Sequence, residues 1–209
     1  MRNAVSWLAA TALLGACVPP MQEGDCLSAD WYELGVQDAV RGDTLERLAW
    51  RDEQCAAFAI SPDAQAYHAG RAAGLAHYCA PANAFDLGAA GRPYQGICPA
   101  ELEAAFLPVY RRGARLYDLE QAYQSALRRY QWAVEKIGDL EADYDTVRAQ
   151  LDDPDLTAAA RKDLRARLTK IADALSDQRR AVRLDRNHVR RAKTDLVRYE
   201  RRLDIRGIY

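Results

Sequence analysis

Lysine is scarce in this chain. It stands only at Lys136, Lys162, Lys170 and Lys193 among 29 basic residues, so arginine carries most of the positive charge. A compositional bias accounts for this better than selection for bidentate anion contacts. Histidine is scarcer still, with His68, His77 and His188 the whole supply for general-base or imidazole chemistry. His68 and His77 are nine residues apart on one predicted helix and share no face, so they do not form a paired metal site. The chain has no Gly-x-Ser-x-Gly elbow, no His-Glu-x-x-His pair, no phosphate-binding glycine loop and no Cys-x-x-Cys pair. The signatures of the common serine hydrolases, zinc peptidases, nucleotide hydrolases and zinc modules are therefore missing. Acid pairs such as Asp152-Asp153 fall in an exposed turn, where carboxylates are not tuned for catalysis. A net charge of -1 gives no global attraction for nucleic acid. The expectation is a protein that is not an enzyme, with no catalytic residue, no metal ligand and no cofactor.

What is present begins with a compartment signal. The first sixteen residues carry one positive charge at Arg2 and then an apolar run ending in small residues, the pattern of a secretory signal and too short for a permanent membrane span. Leu14-Gly15-Ala16-Cys17 resembles a bacterial lipobox, which predicts lipidation at Cys17, and Val18 rather than aspartate after it resembles outer-membrane sorting. The predicted location is the periplasmic side of the outer membrane, anchored by lipid. Residues 17–25 read as a short lipidated tether. With Cys17 lipidated, Cys26, Cys55, Cys79 and Cys98 remain, an even set that in an exported protein predicts two disulfides.

From Ser28 the chain is helical in pattern. Ser28 reads as a cap and Gly42 as a stop, followed by a second helix capped by Asp43 or Thr44 with Glu46 completing a capping box. Two short antiparallel helices would bring Cys26 near Cys55. Four cysteines allow three pairings, and this helix geometry favours Cys26–Cys55 with Cys79–Cys98. Ser61-Pro62-Asp63 opens a third helix, Ser61 serving as its cap, that runs to about Tyr78. Its signature, Tyr67-x-x-Gly70-Arg71-x-x-Gly74-Leu75-x-x-Tyr78-Cys79, recurs as Trp31-Tyr32-x-x-Gly35 and as Tyr110-x-x-Gly113. A glycine costs about 1 kcal/mol against alanine inside a helix, so the repeats predict helices that cross at glycine contacts. The stretch between Cys79 and Cys98 reads as a pinned irregular loop and as a place for a binding surface. Arg71, Asn83 and Tyr94 are the candidate binding residues.

Taken together, Cys26, Asp30-Trp31-Tyr32-x-x-Gly35-x-x-Asp38, Gly42, Cys55, the Tyr67–Cys79 signature, Asn83, Gly88, Gly91 and Tyr94-x-Gly96-x-Cys98 resemble the envelope lipoprotein family catalogued as domain of unknown function 2799. The resemblance covers about residues 26–113. Ala39, where glycine would be expected, is a departure that widens one helix contact. The resemblance implies lipoprotein export and a helical, glycine-rich domain, and implies no activity.

Pro99 opens another helix, which Pro108 is expected to bend or restart at Leu107. From Leu116 a seven-residue beat sets in, with Leu116, Tyr123, Tyr130, Ile137, Tyr144 and Leu151 at one seam position and Leu119, Ala126, Ala133, Leu140 and Val147 at the other. Asp152-Asp153-Pro154-Asp155 breaks it, and Leu168, Leu175, Val182, Val189, Leu196 and Leu203 form a second seam interrupted by Gln178 and Asp185. The simplest fold for this pattern is an antiparallel helical hairpin over 114–209. The fold class expected is therefore all-α: a small disulfide-stabilised bundle over 26–113 with glycine-rich crossings, plus a long coiled-coil hairpin.

Charge is divided along that hairpin. Residues 118–155 hold ten acids and four bases, whereas 179–206 hold eleven bases and four acids. The leading functional expectation is a non-enzymatic structural or adaptor lipoprotein, whose hairpin engages an envelope protein partner through its seam tyrosines and arginine face. The alternative is a module binding peptidoglycan or lipopolysaccharide through the 80–97 loop and the basic hairpin end. The predicted compartment excludes nucleic acid as a partner.

Overall fold

The structure, a computed structural model, describes residues 20–204. The stretch expected to be an export signal, the expected lipidation site Cys17 and the start of the expected tether lie outside the described residues, as do residues 205–209. Within the described residues the chain is all-α: α1 (Glu23–Leu27), α2 (Trp31–Arg41), α3 (Glu46–Ala56), α4 (Ala64–Tyr78), α5 (Pro81–Ala89), α6 (Ala100–Gln150) and α7 (Ala158–Asp204). They form two compact units. One holds the residues up to Tyr78 together with Gln95–Pro99, and the other holds Cys79–Tyr94 with everything from Ala100 onward.

In the first unit the helix ends obey capping chemistry, but with different residues from those expected. Asp30, not Ser28, caps α2, its carboxylate accepting from the Glu33 N–H at 3.0 Å. Ser28 instead closes the short helix α1, which takes up part of the stretch read as tether. The N-cap of α3 is Leu45 with no side-chain bond, while Asp43 accepts from Arg41 at 3.1 Å and the Thr44 hydroxyl donates to Glu46 at 3.2 Å. Asp63, rather than Ser61, caps α4 through the Ala66 N–H at 2.9 Å. Gly42 ends α2 as expected, in the left-handed region with φ 88°. There L side chains are strained, and an added Cβ would also meet the Tyr78 ring.

Helix α2 packs on α4, and the contact is reciprocal. A Cβ on Gly35 would overlap the carbonyl oxygen of Tyr67, and a Cβ on Gly70 would overlap that of Tyr32. Each aromatic-x-x-Gly motif thus offers its glycine to the backbone at the other motif's aromatic position. Cys26 and Cys55 are disulfide-bonded to each other, as the helix geometry favoured, and are buried with Trp31 and Tyr67 in this unit's core. Cys79 and Cys98 are disulfide-bonded as well.

The second unit corrects the reading of 80–97. Residues 81–89 are helix α5, opened by Pro81 in its first turn, and only the stretch after it is irregular. Gly88 of α5 is a packing glycine, met by Gly113 of α6: a Cβ on Gly88 would overlap the Tyr110 carbonyl, and one on Gly113 the Phe85 carbonyl. Phe85-x-x-Gly88 and Tyr110-x-x-Gly113 therefore repeat in α5 and α6 the reciprocal crossing of α2 and α4. The sequence reading found three such motifs and missed the one at Phe85, because its neighbouring Gly91, Pro93 and Gly96 look like loop.

Pro108 does not restart the helix: α6 runs unbroken from Ala100 to Gln150. A proline removes one backbone donor and costs about 3 kcal/mol. Buried Phe106 on one side and Gly113, locked against α5, on the other hold the helix across it. The boundary expected at 113/114 consequently falls inside a continuous helix. Helices α6 and α7 pair along the predicted seam: Leu116, Leu119, Leu196 and Leu203 are buried together, as are Val147, Ile171 and Leu175. Each fully buried aliphatic side chain contributes roughly 1.5–3 kcal/mol. Gln178, the polar break in the second seam, donates to the Ala133 carbonyl at 3.0 Å and so bonds α7 to one level of α6.

Candidate functional site

The densest polar constellation is built around Asp38 in the first unit. Trp31, Gly35 and Asp38 follow one another at helical spacing on α2, and Tyr67, Gly70, Arg71, Gly74 and Tyr78 do so on α4. Because glycine lets these two faces approach, the Tyr67 hydroxyl reaches Asp38 and donates to Oδ2 at 2.8 Å. From α3, Arg51 donates to both carboxylate oxygens, Nε to Oδ2 at 3.1 Å and Nη2 to Oδ1 at 2.8 Å. Arg41 donates to Oδ1 as well. Asp38 is fully buried, and these donors are what make a buried carboxylate tolerable.

This cluster has no spare acid or base. The Tyr67 hydroxyl is pushed up to about 12, chiefly by burial and then by its hydrogen bond to Asp38 and the carboxylate's charge, against the opposing pull of Arg71 and Arg51. It stays protonated and donates. The open valence belongs to Arg71, which is only 6% exposed and has an Nη1 with no hydrogen-bond partner among the described residues.

The other two candidate residues, Asn83 and Tyr94, belong to the second unit. Asn83 lies in the first turn of α5. Tyr94 is held to α6: its hydroxyl donates to Glu103 at 2.8 Å, its N–H donates to the Tyr110 hydroxyl at 3.1 Å, and its ring packs on Phe106 and Tyr110. The Tyr110 hydroxyl donates in turn to the Arg92 carbonyl at 2.7 Å. Tyr94 is therefore a pin for the segment after α5. His68 and His77 are exposed on α4, and His188 faces Asp185 at 3.6 Å on α7. Among the described residues no group of three His, Cys, Asp or Glu side chains is placed to hold a metal ion, and no helix is long and apolar enough to cross a membrane.

Residues 30–115 match the family model described as protein of unknown function (DUF2799). Over that stretch the chain is similar to this family. No curated protein and no solved structure matches the chain. The DUF2799 stretch begins at the Asp30 cap and ends two residues after Gly113, so it contains the Asp38 cluster and all four aromatic-x-x-Gly motifs. Most of the hairpin lies outside it.

The hairpin presents a different kind of surface. Its seam tyrosines, Tyr123, Tyr130, Tyr144 and Tyr199, are half-buried in the seam, and the Tyr199 hydroxyl donates to the Arg112 carbonyl at 2.9 Å. Tyr123, Tyr144 and Tyr199 pack against the buried clusters of the hairpin. What stands out instead is Trp132, 65% exposed, and Leu184, 57% exposed. Sequence reasoning passed over both, although each sits off the seven-residue beat, where a polar residue is the norm.

Proposed function

We propose that this protein is a non-enzymatic lipoprotein of the outer membrane, facing the periplasm, that serves as a structural adaptor through its helical hairpin. The observation that carries the reading is the hairpin itself: helices of 51 and 47 residues, whose seam is filled internally while Trp132 and Leu184 remain exposed. At 1.5 Å per residue the paired helices reach about 70 Å, far more than is needed to stabilise a small bundle. An exposed tryptophan beside water is a costly surface unless something covers it, and tryptophan is the residue most enriched at interface hot spots. The lipobox-like Leu14–Cys17 and the oxidised cysteines support export to an oxidising compartment.

The test is a photo-crosslinking amino acid placed at position 132 of the full chain in living cells. A discrete protein adduct that disappears with Leu184→Ser supports the adaptor reading. Adducts to lipid alone, or sedimentation of the protein with purified cell-wall sacculi in the absence of any protein adduct, overturn it. Labelling with a fatty-acid probe that persists in Cys17→Ser would separately sink the lipid anchor.

A further inference from the structure

The second half of α7 carries a stripe of cations that the fold does not use. Taking 100° per residue, Arg183, Arg190 and Arg201 lie within about 20° of one another around the helix, with Arg186 and Lys193 beside them. All five are exposed, and among the described residues none has a carboxylate within ion-pair reach. Their neighbours behave otherwise: Arg179 pairs with Glu141, Arg180 with Asp177 and Arg198 with Asp195. The nearby acids are kept off the stripe. Asp185 is half-buried on the seam side, while Asp195 and Glu200 lie about 120° and 100° from Arg201 around the helix. Arg190, Lys193 and Arg201 also border a shallow groove of about 650 Å³, whose one apolar lining residue is Val197.

We infer that this stripe is a docking face for an anionic phospholipid surface, with α7 lying along the head groups. From Arg183 to Arg201 the cations extend over about 27 Å in one line on a rigid helix, the geometry that meets a plane of negative charge at several points at once. A protein partner would be expected to find aromatic or aliphatic anchors at the centre of its contact, and the stripe offers none beyond Val197. The same lack of apolar residues makes the contact peripheral and electrostatic, without insertion, and therefore sensitive to salt. The inference does not depend on the adaptor reading, which rests on Trp132 and Leu184.

The full chain is mixed with phosphatidylcholine vesicles and with vesicles containing phosphatidylglycerol, and the ratio of the two binding constants is read. Using the ratio removes any contribution of the apolar N-terminus that is common to both. The ratio should exceed one at low salt and collapse at high salt. Each cation removed should lower it about fivefold, so Arg190→Gln, Lys193→Gln and Arg201→Gln together should lower it about a hundredfold with the circular dichroism spectrum unchanged. Arg179→Gln, at a residue already ion-paired within the hairpin, should change it far less. A ratio of one at low salt, a triple variant that binds like the parent, or binding to soluble polyphosphate with no preference for anionic vesicles would overturn the inference.

Discussion

Asp38 shows how one buried charge can organise a small unit. Its carboxylate collects Arg41, Arg51 and Tyr67, and removing a partner from such a set leaves an uncompensated charge. Asp38→Ala should therefore cost about 3–5 kcal/mol, read as a lower denaturant midpoint. Tyr67 makes the same environment visible to pH. Its folded value of about 12 lies above the ordinary 10.0, so between those values the folded chain holds a proton that the unfolded chain has released. The resulting stability is complete below pH 10 and is lost as the pH rises toward 12, by on the order of 2–3 kcal/mol. Urea unfolding across that window should show the decline in the parent, and Tyr67→Phe should remove this residue's contribution to the slope. A decline of equal size in the variant would show that other groups cause it.

At the scale of elements, the two reciprocal crossings are the units of construction. Gly70→Ala and Gly113→Ala place a methyl group against a backbone carbonyl that has no rotamer with which to yield. Either should destabilise by about 1–3 kcal/mol or more despite alanine's better helix propensity. Gly138→Ala is the matched control: its Cβ meets nothing within 4 Å, so it should stabilise by up to about 1 kcal/mol. Equal effects at all three positions in thermal melts would refute the crossing role. The hairpin predicts its own weak point as well. Limited proteolysis should cut in the turn after Gln150 and before Ala158 and spare the bonds around Pro108, since α6 is continuous there. Early cleavage beside Pro108 would contradict that continuity.

For the whole molecule, the Cys26–Cys55 link closes a separation of 29 residues, worth about 3–4 kcal/mol on the loop-entropy model. Chemical unfolding of Cys26→Ser with Cys55→Ser should show a loss of that order, and no loss would mean the unfolded chain is already constrained there. How much of the protein the sequence determined by itself follows from the range of each interaction. The hairpin seam was legible because a seven-residue apolar beat is local and repeats many times over. The glycine crossings were legible because a glycine inside a helix needs a reason. The Cys26–Cys55 pair followed from placing two short helices, although α2 turned out to pack on α4. The family likeness across 30–115 also sits in linear spacing. Other features were decided only by tertiary contact. Phe85–Gly88 became a helix rather than loop because α6 offered it a reciprocal partner. Pro108 stayed inside a helix because packing on both sides outweighs one missing hydrogen bond. Asp38 and Arg51 met because three helices converge, a coincidence that no spacing along one chain encodes. The seam tyrosines and Trp132 are alike in being aromatic residues on one amphipathic helix, and only the course of α7 decides which are covered and which remain in water.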